Sequence, residues 1–102
     1  MTKTKKYPKF KSWRDLYDRA NGGDEMAQKA IICGLSNLGN PTLPSKNDMQ
    51  KTPLWKRAYH GLQEYIGALV GEYGESETKA EKSILAEVNH VLDICHDTKL
   101  ED

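Results

Sequence analysis

Strand-building residues are scarce in this sequence. Its 102 residues include three valines, five isoleucines and one phenylalanine, too few to line several strands, while alanine, leucine, lysine and glutamate are plentiful. A sheet is therefore excluded as the main architecture, and an all-α fold is predicted. Long apolar runs are missing as well. No stretch comes near the roughly 18 uncharged apolar residues of a membrane span, and the lysines near the start are followed by no apolar run of the kind a secretory leader needs. The expected location is cytoplasmic. Cys33 and Cys95 are the only cysteines, and each lies in an apolar helical pattern with no second cysteine nearby to build a metal knuckle. They read as reduced core residues.

Catalytic signatures are also wanting. The sequence holds no phosphate-cradling glycine loop, no G-x-S-x-G elbow and no paired zinc ligands at a familiar spacing. His60 and Glu64 lie one turn apart, and Glu87 and His90 are three apart, but a carboxylate-bridged di-iron bundle needs two E-x-x-H segments and further glutamates. Cys95 and His96 are neighbours whose side chains would point about 100° apart on a helix, so they form no nucleophile and base pair. No catalytic, cofactor or metal residue is assigned. A chain of this length buries only about 60–65% of its unfolded surface, so it holds one core with little room for a closed pocket, which favours function at a surface.

What is present is helical periodicity broken by recognisable stops. Ser12 is placed to cap a first helix in which Trp13, Leu16, Tyr17 and Ala20 share a face, ended by Asn21-Gly22-Gly23. Asp24 is placed to cap a second, with Ala27, Ala30, Ile31, Gly34, Leu35 and Leu38 on one side and Gly39 as its stop. Ala20, Gly23, Asp24, Ala27 and Gln28 spell A-x-x-G-D-x-x-A-Q, which over nine residues resembles the turn of Sel1-like helical repeats; with no second copy in the chain, the likeness implies no repeat array. Residues 39–51, broken by Pro41 and Pro44, form a long connection.

Thr52 followed by Pro53 predicts a third, long helix with threonine as its cap. Trp55, Ala58, Tyr59, Leu62, Tyr65, Ile66, Leu69 and Tyr73 keep a 3.6-residue period, which makes this helix the expected centre of the core. Gly67 and Gly71 within it mark either close packing by another helix, such as a homodimer seam, or local looseness. Thr78 and Glu81 have capping-box spacing, and Ala80, Ile84, Leu85, Val88, Val91, Leu92, Ile94 and Cys95 predict a fourth helix. The expectation is a small four-helix domain of two helical hairpins over residues 12–102, preceded by an extended basic N-terminal arm over residues 1–11.

Charge is segregated along the chain. Residues 1–14 hold six basic and no acidic side chains, whereas residues 72–102 hold three basic and nine acidic, so the overall zero is a cancellation between ends. Candidate partner-binding residues are Lys5, Lys6, Tyr7, Lys9, Phe10 and Trp13 on the basic side and Glu72, Glu75 and Glu77 on the acidic side. The leading expectation is a small non-catalytic protein-binding regulator, of the inhibitor, antitoxin, immunity or mobile-element type, that occludes a larger protein. The alternative is a nucleic-acid-binding accessory protein whose arm lysines neutralise phosphates while its rings stack on bases. A small enzyme or metal-binding bundle around His60, Glu64, Glu87 and His90 ranks last.

Overall fold

A computed structural model describes residues 8–38, 52–95 and 97–100. These form four helices, α1 (Trp13–Asn21), α2 (Glu25–Asn37), α3 (Leu54–Tyr73) and α4 (Glu77–Val91), with no strand among the described residues. The fold is all-α, as composition and periodicity predicted. The long connection over 39–51 lies outside the described residues.

The first hairpin follows from its caps. Ser12 accepts the Asp15 N–H at 3.0 Å, and the Asp15 carboxylate takes the Lys11 N–H at 3.0 Å. Gly23, at φ 101°, turns the chain in a left-handed conformation that a Cβ would strain. Asp24 then accepts the N–H groups of Met26 and Ala27, so a single carboxylate oxygen satisfies two of the free donors of α2. Arg19 reaches Asp24 at 3.3 Å and Gln28 donates to the Ala20 carbonyl at 2.8 Å, which ties the two ends of the turn together.

The centre of the core is α2 rather than α3. Six of its 13 residues are buried, against six of 20 in α3, and its Ala27, Ala30 and Ile31 are fully so. Small residues make this position tolerable. At Gly34 a Cβ would stand 3.0 Å from Val88 Cγ2, so α4 approaches α2 closely only because that side chain is missing. The close helix approach is thus at Gly34. Around Gly67 and Gly71 nothing lies within 4 Å of where a Cβ would be, so no other described helix of this chain packs closely there.

Two caps differ from expectation. The N-cap of α3 is Pro53, with no side-chain hydrogen bond, and Thr52 instead offers its carbonyl to Arg57 Nε at 3.4 Å. The cap of α4 is Ser76, which accepts the Lys79 N–H at 3.2 Å. Helix α4 begins two residues earlier than the Thr78–Glu81 pattern predicts because Gly74, at φ 67°, already turns the chain. At the other end α4 stops at Val91, and the following turn keeps Leu92 and Cys95 in the core while swinging Ile94 out to 64% exposure. Ile94 therefore does not widen the core stripe.

Residues 8–11 lie on the helical unit. Phe10 is 3% exposed and belongs to the core, held by a two-bond clamp from Asn89 of α4: the Phe10 N–H donates to Oδ1 at 2.8 Å and Nδ2 donates to the Phe10 carbonyl at 3.2 Å. Arg19 lies 4.3 Å above the Phe10 ring and donates to the Pro8 carbonyl at 3.0 Å.

Candidate functional site

Helix α3 outruns the core. Its buried residues are Trp55, Arg57, Ala58, Gly61, Leu62 and Ile66, and none follows Ile66. The last two turns, Gly67 to Tyr73, carry Val70 at 36% and Tyr73 at 72% exposure, so apolar surface projects beyond the bundle. The first turn of α4 runs back alongside. Between them lies an open groove of about 410 Å³. Gln63, Ile66, Gly67, Val70 and Gly71 of α3 form its floor and one wall, Glu77 and Glu81 of α4 form the other, and Trp13 of α1 closes one edge.

Electrostatically this end is one-sided. Glu72 and Glu77 are exposed, and Glu75 and Glu81 are half-buried. None of the four makes an ion pair with another described residue, whereas Arg14 pairs with Asp18, Arg19 with Asp15 and Asp24, and His60 with Glu64. Glu75 Oε1 is shielded from solvent with no hydrogen-bond partner among the described residues. Four carboxylates thus stand at the tip without a paired cation among the described residues.

Beside the groove lies an aromatic ledge. Trp13 stacks on Tyr59 at 5.3 Å between centroids, Tyr17 meets Tyr59 at 4.8 Å and Trp55 at 5.8 Å, and Lys56 Nζ stands 5.6 Å from the Trp55 ring. Burial pushes the Tyr59 phenol above its ordinary range, partly offset by its hydrogen bond with Trp13. Stacking on Tyr59 holds Trp13 at the groove edge.

The residues singled out by sequence fall into three groups. Lys5, Lys6 and Tyr7 lie outside the described residues. Lys9 is exposed, while Phe10 is in the core and unavailable to a partner as placed. Glu72, Glu75 and Glu77 lie at or beside the α3–α4 turn, and Trp13 lines the same groove as Glu77, so one member of the basic list joins one of the acidic. Of the three rings interleaved with lysines, Phe10 is buried and Trp13 half-buried on Tyr59, which leaves the nucleic-acid alternative little stacking surface among the described residues. Val70 and Gln63 were missed. The signal for Val70 was the length of α3, whose apolar pattern runs further than α4 could cover.

The other constellation does not assemble. His60 Nε2 and Glu64 Oε1 are 3.3 Å apart on an exposed face, Glu87 accepts from Asn37, and His90 is exposed. Among the described residues no three His, Cys, Asp or Glu side chains converge on a metal-sized site. Cys33 and Cys95 are both unpaired, and burial pushes the Cys95 thiol above its ordinary range. No described helix is long and apolar enough to cross a membrane. Among known proteins, no family model, no curated protein and no solved structure matches this chain.

Proposed function

We propose that this protein is a small non-catalytic protein-binding regulator, of the inhibitor, antitoxin, immunity or mobile-element type, acting by stoichiometric occlusion of a larger protein. The observation that carries the reading is the α3–α4 tip, where exposed Val70 and Tyr73 adjoin an open groove rimmed by carboxylates that have no counterion among the described residues. Such a surface combines what recognition needs. Charge steers the encounter and sets register, and apolar area supplies affinity once water is expelled. Two unpaired cysteines are in keeping with action in the reducing cytoplasm.

Docking of a positively charged partner face at the tip raises the association rate at low ionic strength. Adding salt slows association more than it speeds dissociation. The test is affinity capture from the native cell with and without nuclease. Recovery of the same protein at near one-to-one ratio in both samples supports the reading. Recovery that disappears with nuclease, or no protein above background, refutes it.

A further inference from the structure

Resting on that protein-binding reading, we infer that the α3–α4 groove receives a basic amphipathic helix of the partner, with one large apolar side chain seated on Ile66 and lysine or arginine side chains facing Glu77 and Glu81. The shape argument comes first. Gly67 and Gly71 are one turn apart, and the space where each Cβ would stand is empty, so this stretch of α3 presents a smooth trough rather than a ridge. From Gln63 to Gly71 the trough is about 12 Å long at 1.5 Å per residue, enough for two turns of an incoming helix.

Hydrogen bonding selects a helix over an extended strand. Both walls are helices whose interior N–H and C=O groups already bond within α3 and α4, so a strand laid in the groove finds no free backbone edge. A helix arrives with its own backbone satisfied. Charge then selects a basic one. Glu77 and Glu81 lie one turn apart, about 6 Å along α4, the spacing at which two basic side chains at i and i+4 on a facing helix meet them in register. Lys79 and Lys82 do not neutralise this wall, since at about 100° per residue they point to other sides of α4, and neither pairs with a described carboxylate. A nucleic-acid backbone would meet the same carboxylates as like charge.

The test is site-specific photocrosslinking in the native cell. p-Benzoylphenylalanine replaces Tyr73, which is 72% exposed and one turn from Val70, or Ile94, which is 64% exposed and lies beyond the far end of α4. The expected result is a crosslink from position 73 to a segment of a different protein carrying basic residues at i and i+4 beside apolar ones. That yield should fall by about fivefold or more when Glu77→Lys and Glu81→Lys are added, with Glu77→Gln and Glu81→Gln as the milder pair should the first fail to fold. Crosslinks from position 73 to an acidic segment, to nucleic acid or to a second copy of this chain would overturn the inference. Crosslinks from position 94 alone would overturn it while leaving a protein-binding function standing. No protein crosslinked from either position would remove both.

Discussion

Replacing Asn89 with alanine removes the two hydrogen bonds that hold Phe10 to α4, at 2.8 and 3.2 Å. Each such bond contributes about 0.5–1.5 kcal/mol net, and the Phe10 amide and carbonyl lose their partners in a half-buried place. Against this, alanine gains roughly 0.5 kcal/mol over asparagine inside a helix. The net loss should be about 2 kcal/mol. It cannot greatly exceed the roughly 3–5 kcal/mol cost of deleting a buried phenylalanine, because the worst outcome is release of that ring. An unfolding entropy near 2.1 cal/mol/K per residue, over 102 residues, turns this into a fall of about 10 °C in Tm. Thermal melting followed by circular dichroism measures it, and the decisive form is a cycle with a chain that lacks residues 1–10, because Phe10→Ala would keep both clamped backbone groups. If Asn89 acts through the clamp, its substitution costs at least about 1 kcal/mol less in the shortened chain. Equal cost in both backgrounds would refute the clamp.

Ser76→Ala should lower stability by about 1 kcal/mol in urea unfolding, whereas Thr78→Ala should stay within about 0.5 kcal/mol, because only Ser76 caps α4. Two glycine substitutions should differ in sign. Gly34→Ala forces Val88 to move from 3.0 Å and costs about 1 kcal/mol or more, while Gly67→Ala enters open space and stabilises by up to about 1 kcal/mol while filling the partner groove. Cys95 and Tyr59 both hold their protons more tightly when folded than when unfolded. Their contribution is thus complete below the ordinary thiol range and is lost as pH rises through the raised values, so chemical-denaturation midpoints should decline on the alkaline side, and less steeply from the thiol range upward in Cys95→Ala.

The helices were legible because their signals are local. Ser12 and Asp24 cap where the sequence placed them, and Asn21-Gly22-Gly23 ends α1 as read, since a cap or stop depends on a few adjacent residues. Thr52 and Thr78 show the limit of the same logic. Each had a competitor within two positions, Pro53 and Ser76, and at α4 the choice was made by where the Gly74 turn released the chain. The fate of Phe10 was not legible, because its binding partner Asn89 is 79 positions away and nothing in either residue's neighbourhood names the other. The tip was half legible. Its acidity stood in the composition, but the groove arises from a difference in reach between α3 and the helices that cover it, and the exposure of Val70 follows only once α2 is known to be the core's centre.

The most direct test of the binding account is a paired capture from nuclease-treated lysate, using the wild-type protein and Val70→Asp as baits. Val70 is 36% exposed, so the added charge should leave the melting curve close to wild type while placing a carboxylate on the apolar wall of the groove. A protein retained at near one-to-one ratio by the wild type and lost by Val70→Asp is the predicted result. Equal retention by both folded baits would contradict the account, since the partner would then bind somewhere other than the α3–α4 tip.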